Sequence, residues 1–397
     1  MTESFAERLR EYRTAAGVSL SQLAKRVNYS KGYLSKIENG RKPPNTTLAR
    51  LCDAALDADG KLIEAGATGP RDVATTLDRR QVLAAGTVLG LALVGGPRPA
   101  VDDQVIDGMR VSFEHLRALG QQASPAMVLQ PLIANVRTVH ALARENAGPA
   151  RTRLLLLAGR IAEYTGWMSQ EAGDERNALW WTRHAAELAR VGGDDEIGSY
   201  ALVREAGLAL YRQDPVRTIE LARQAREVGR PSRRTLAMAS RREAQGHALA
   251  GDRDAYLRAL DRAVELMATA ESDTRAYPLL GTTAAEPVEL ARGWSLCDLG
   301  RAGESAAVLD AAVAVLPATS RRSRARFGVR SSLAHALSGE IDQSCRTLAE
   351  TLDDAAHVDS ATIRLDLRDL ARTLARWRNH GAVREIYPDL GKVLHQH

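Results

Sequence analysis

Apolar positions recur at helical spacing in short runs along the first 58 residues. Phe5, Leu9 and Tyr12 form one stripe in SFAERLREYRTAA, which Gly17 brings to a stop. Ser19 is placed to cap SLSQLAKRV, with Leu20, Leu23, Ala24 and Val27 facing inward. After Asn28-Tyr29, Ser30 is placed to cap SKGYLSKIENG, whose inward residues are Leu34 and Ile37 and whose end is Gly40. Pro43-Pro44 enforces extended chain, and Thr46-Thr47 opens LARLCDAALD. The pattern predicts four short helices. The second and third are separated by only a few residues, the spacing of a helix-turn-helix.

Farther along, the pattern repeats on a larger scale. Short turns marked by Gly173, Asp214, Gly251, Gly300, Gly339 and Gly381 recur at steps of roughly 40 residues. Each lies between two amphipathic segments. In one unit Leu208 and Tyr211 precede the turn, while Ile219, Leu221, Ala222 and Ala225 follow it. Asp214 is placed to cap the second helix of that unit, with Pro215 in its first position. Pairs of this kind stack, because no single pair can bury its apolar face. Residues 101–147 predict a helical hairpin ahead of the repeats, with Ser124-Pro125 opening its second helix. The expected fold is therefore all-α: a four- to five-helix domain (1–66), a linker (67–100), the hairpin (101–147) and an α-solenoid (148–397).

The linker holds DRRQVLAAGTVLGLALVGG (78–96), two arginines ahead of an apolar run. From Val82 to Val94 the run would span about 20 Å as a helix, against a bilayer core of about 30 Å. It also lies far from the N-terminus, where an export signal belongs. We expect neither export nor a membrane span. Gly86 and Gly90 give the run a small-residue face. Two roles stand open: packing on its own C-terminal domain, or pairing with its counterpart in a homodimer.

Charge sharpens the division. Residues 1–56 carry four lysines and six arginines against five acidic residues, while the remaining chain carries 44 of each sign. The whole excess of +5 sits on one small module, which points to a polyanion partner. Cys52, Cys297 and Cys345 lie far apart, as core residues of a chain kept in a reducing compartment.

GVSLSQLAKRVNYSKGYLSKIENGRKPPNTTLARLCDAAL resembles the Cro/cI (xenobiotic-response-element) type of helix-turn-helix transcriptional regulator over residues 4–58. The resemblance implies a lambda-repressor-like domain that binds double-stranded DNA, with the helix beginning at Ser30 in the major groove. It implies base-facing positions at Lys31, Gly32, Ser35 and Lys36, with Tyr33 beside them, and phosphate contacts at Ser19, Asn39, Arg41 and Lys42. Arg13 and Glu38 match a pair that ties the first helix to the recognition helix. Leu20 stands where the family carries a glutamine, so one side-chain contact to phosphate is lost.

VELARGWSLCDLGRAGESAAVLDAAVAVLP resembles a tetratricopeptide repeat, and the resemblance extends in looser form over about 148–397. It implies a concave face that holds a peptide, small molecule or partner protein. By repeat position the candidate lining residues are Arg204, Arg241, Gln245 and Trp294, although such arginines equally suit a solvated outer face. Tyr164, Trp167, Trp180 and Trp181 read as repeat core, with a ligand cage as the alternative.

The sequence offers no phosphate loop, no His-x-x-x-His pair, no nucleophile elbow and no CxxC, so we expect no enzyme, no metal and no cofactor. Asp194-Asp195-Glu196 and Asp353-Asp354 read as helix-boundary residues. The expected function is a cytoplasmic, nucleoid-associated regulator, with a likeness to dimeric readers of two half-sites. Its repeats would sense an effector, dimerise, or both. The alternative is an interaction scaffold, whose repeats sequester a partner protein while the N-terminal domain localises it.

Overall fold

A computed structural model describes residues 4–67, 101–270 and 287–395. Among these the chain is helical, with no strand. The apolar run 82–94 and its dimerisation reading lie outside the described residues.

Five helices build the N-terminal domain: α1 (Phe5–Ala15), α2 (Leu20–Arg26), α3 (Lys31–Glu38), α4 (Thr46–Ala55) and α5 (Lys61–Ala67). Their starts follow from local chemistry. Ser4 and Ser19 each accept a backbone N–H three residues on, and Glu7 and Gln22 return the bond to complete two capping boxes. Ser30 caps α3 by accepting from the Tyr33 N–H. The cap of α4 is Asn45, which accepts from the Leu48 N–H at 2.7 Å, so that helix opens one residue earlier than the two threonines suggest. Phe5, Leu9, Leu23, Val27, Leu34, Ile37, Leu48 and Cys52 fill the core. Buried Asp53 accepts from the Gly60 and Leu62 N–H groups and seats α5.

After α6 (Asp103–Gly120) and α7 (Pro125–Glu145), six helix pairs follow. They are α8 (Gly148–Glu171) with α9 (Glu175–Val191), α10 (Glu196–Tyr211) with α11 (Pro215–Glu227), and α12 (Arg233–Ala250) with α13 (Arg253–Ala268). Next come α14 (Pro287–Asp298) with α15 (Ala302–Ala314), α16 (Arg321–Ser338) with α17 (Ile341–Val358), and α18 (Ala361–Leu374) with α19 (Gly381–His395). A 3₁₀ turn, Ala375–Trp377, links the last two. The first helices of successive pairs touch one another and form the inner layer. Consequently α8, α10 and α12 are buried on nearly all sides, whereas α9, α11 and α13 bury one stripe. The turns inside the pairs reverse through left-handed residues: Gly173, Gln213, Gly251, Gly300 and Gly339. Asp214 caps α11 through the Arg217 N–H, with Pro215 first in that helix. Gly381 is instead the first residue of α19 and has no left-handed backbone.

The array closes on itself. Glu171, at the end of α8, is fully buried. It accepts from Arg322 at 3.0 Å and from Arg326 of α16, and from the Ser360 hydroxyl at the start of α18. Arg322, 1% exposed, also donates to the Gly120 carbonyl. One carboxylate therefore joins the first, fifth and sixth pairs. Burial pushes its pKa up, and the Arg326 and Arg322 guanidiniums with the Ser360 hydroxyl more than reverse this, holding it at about 2.

Two sequence expectations are corrected. Asp353 and Asp354 lie inside α17 rather than at a boundary, and Asp354 pairs with Arg321 and Arg324. Trp180 is 53% exposed and stacks on His184, while its neighbour Trp181 is buried. Adjacent helical residues point about 100° apart, so only one of the two can face the inner layer.

Candidate nucleic-acid interface

The N-terminal domain rests on the turns of the array. Asn28 Nδ2 donates to the Leu337 carbonyl at 3.1 Å. Arg50 on α4 pairs with Asp298 at 2.7 Å and donates to Gln213 Oε1 at 2.8 Å. Gly60 lies so close to Ala250 and Gly251 that a Cβ would fall 2.9 Å from the Ala250 carbonyl oxygen. Ala302 and Leu337 of the array join the core of the domain. The seat is formed by the same turns that mark the repeat.

Within the domain, α3 is fixed by ion pairs. Glu38 is buried and accepts from Arg13 Nε at 3.0 Å, Arg13 Nη2 at 2.6 Å and Arg10 Nε at 3.3 Å. Arg13 also donates to the Val18 carbonyl at 2.9 Å. Burial alone would raise the Glu38 pKa; the Arg13 and Arg10 guanidiniums reverse this and lower it. The same bonds raise the Arg13 pKa. The end of α3 is thereby locked to α1.

With α3 held in this way, Ser30, Lys31, Gly32 and Lys36 are exposed along it, while Tyr33 and Ser35 are half-buried. Space around Gly32 is open, which leaves room for a close approach. Asn39 is exposed at the end of α3, its side chain bonded to the Ser35 carbonyl and to Arg10. Arg41 and Lys42 are exposed in the following loop, and Ser19 is exposed at the start of α2. Leu20 packs against the domain core, and Gln22 is engaged by the cap. Of these positions Tyr33 and Lys42 are in contact, the Lys42 Nζ lying 4.5 Å from the Tyr33 ring centre. Exposed lysine, arginine and serine side chains of this kind are hydrogen-bond donors to acceptor atoms such as those of base edges and phosphates.

The four array candidates divide into two places. Trp294 lies in a cleft of about 2590 Å³ between the domain and the array, with the Arg330 guanidinium 3.3 Å from its ring centre. Arg330 is in turn held by both oxygens of Asp366. Arg204, Arg241 and Gln245 lie apart from this cleft, buried on the inner layer, so the outer-face alternative for the two arginines is excluded. Arg204 donates to Gln170 at 3.0 Å and lies 3.6 Å from Glu163; Gln245 accepts from Arg242 at 2.8 Å.

Sequence reasoning missed Asn28, Arg50 and Asp298, the residues that seat the domain. Asn28, in the Asn-Tyr break between α2 and α3, carries a weak signal, since asparagine tolerates the left-handed backbone it adopts there; the other two carry none. Among the described residues no helix is long and apolar enough to cross a membrane, and no cluster of His, Cys, Asp or Glu is arranged to hold a metal. No curated protein and no solved structure matches the chain. Residues 4–66 match the family model of a helix-turn-helix domain, and this chain has such a domain at its N-terminus.

Proposed function

We propose that the chain is a sequence-specific, DNA-binding transcriptional regulator of the Cro/cI type, acting in the cytoplasm on the nucleoid. One observation carries the reading. The ion-paired α3 exposes Lys31, Gly32 and Lys36, flanked by exposed Arg41 and Lys42, within residues 1–56, whose charge of +5 equals the net charge of the chain. Lysine suits the acceptor edge of guanine, and Ser19, Asn39, Arg41 and Lys42 suit flanking phosphates. Ser30, Tyr33 and Ser35 complete the contact surface. The direct test is selection from a randomised duplex pool with the full chain: enrichment of one sequence family supports the reading, and no enrichment defeats it.

The tetratricopeptide-like array would act as the sensor. Arg204, Arg241 and Arg242 lie close enough on its inner layer to act on one another, with Arg242 donating to Gln245 and Arg204 lying 3.6 Å from Glu163, and burial pushes the Arg242 pKa down to about 9. Such a surface favours an anionic effector, a peptide carboxylate or a small acid. An effector there would shift the seating of the N-terminal domain and so change the affinity for an operator. A homodimer would place two such domains on two half-sites. Light scattering of the full chain, alone and on a selected duplex, checks that step.

A further inference from the structure

The last pair of the array carries a charge that the reading above does not use. Residues 361–380 hold five arginines and two aspartates, a local excess within a stretch beyond residue 56 whose two signs balance overall. Arg368, Arg372 and Arg376 are spaced four apart and so lie on one face of α18 and its 3₁₀ extension. That face is turned toward the recognition helix across the cleft. Ser30, Lys31 and Lys42 line one wall; Arg368 and Arg372 line the other.

A ladder of rings and cations joins the two walls. Lys42 Nζ sits 4.5 Å from the Tyr33 ring centre, and Tyr33 lies 5.4 Å from Tyr29. The Arg376 guanidinium covers Tyr29 at 4.1 Å and Trp377 at 4.4 Å. Arg376 is therefore spent on holding the walls together, whereas Arg368 and Arg372 remain exposed. Arg372 is paired with Asp369 at the surface, where both side chains are solvated and the bond is readily exchanged.

We propose that Arg368 and Arg372 form a second wall of the DNA site and hold the phosphate strand beside the N-terminus of α3. This inference rests on the DNA-binding reading and extends the site from the N-terminal domain to the array. The same wall carries Asp366, held by two nitrogens of Arg330, and Asp369, paired with Arg372; with these acids met by arginines, the arginines of α18 and the lysines opposite leave an excess of cations that fits a polyanion strand.

The test is equilibrium binding of the full chain to mixed-sequence duplex DNA over a series of salt concentrations. Each phosphate contact adds about 0.9 to the slope of log affinity against log salt. R368A/R372A should lower that slope by about two and weaken binding by about tenfold at moderate salt. R368K/R372K should recover most of both, and the sequence preference should be unchanged, since these contacts read no base. Circular dichroism confirms that each variant is folded. Unchanged affinity and slope, or tighter binding by the alanine variant, would overturn the second wall. The unmodified chain separates the two levels: if it binds no duplex, the DNA-binding reading falls and the second wall with it.

Discussion

Arg50 of the helix-turn-helix domain and Asp298 at the end of α14 form an ion pair of 2.7 Å with side chains 13% and 7% exposed. Removing one member of such a pair leaves its partner buried and uncompensated, at a cost of about 3 kcal/mol. Asp298→Ala should therefore lower stability by about that much in chemical denaturation. In a double-mutant cycle, Arg50→Ala and Asp298→Ala should couple by at least about 1 kcal/mol. Additive effects would show that the domain is not seated through this pair.

Close backbone approach at the same seat gives a second prediction. Gly300 has a φ of +75°, and a Cβ there would lie 2.5 Å from the Arg50 carbonyl oxygen and 2.8 Å from the Ala54 Cβ. Gly300→Ala should lift α4 from the array and raise amide exchange in α4. Gly303 is near the start of α15 with open space around it. Gly303→Ala should be neutral or stabilising by up to about 1 kcal/mol. Equal effects of the two substitutions would contradict the docked geometry.

Much of this arrangement is legible in the sequence where local chemistry decides. Ser19, Ser30 and Asp214 announce helix starts because a side-chain oxygen beside a free N–H is a local matter. The match of Arg13 and Glu38 to a known pair anticipates a contact that the structure displays in full. The left-handed turns at Gly251, Gly300 and Gly339 mark the repeat for the same reason. What escapes the sequence is contact between distant elements. Nothing near Glu171 foretells that its partners are Arg322, Arg326 and Ser360, some 150 to 190 positions away. Periodicity leaves Arg204 and Arg241 between an inner and an outer face for a related reason: it finds the face of a helix, while a second helical layer decides whether that face meets water.

The lock between α1 and α3 can be tested directly. Arg13→Ala strips Glu38 of its two shortest bonds, leaving Arg10 as its remaining partner. We expect a loss of about 3 kcal/mol in stability, with weaker duplex binding at permissive temperature because α3 is no longer fixed. Arg13→Lys, which cannot make the two-pronged bond, should recover part of the stability. Binding that is indifferent to Arg13 would remove the lock from the account.

Acidity should act through Glu171. Its folded pKa of about 2 lies below its ordinary value of 4.5, so the unfolded chain takes up the proton first. The stabilisation is complete above pH 4.5 and is lost as pH falls toward 2, a swing on the order of 3 kcal/mol. Glu171→Gln should be less stable at neutral pH and show a shallower decline over that interval. Parallel pH profiles for the two proteins would contradict the closure of the array through this carboxylate.

Duplex recognition by α3 is the claim on which the rest depends. The most direct measurement is binding of the full chain and of Lys31→Ala/Lys36→Ala to a duplex recovered by selection, each against a scrambled competitor. The substituted chain should stay folded and lose its preference for the selected sequence, at about 1 to 3 kcal/mol per lost base contact. A folded variant that keeps both affinity and preference would contradict it.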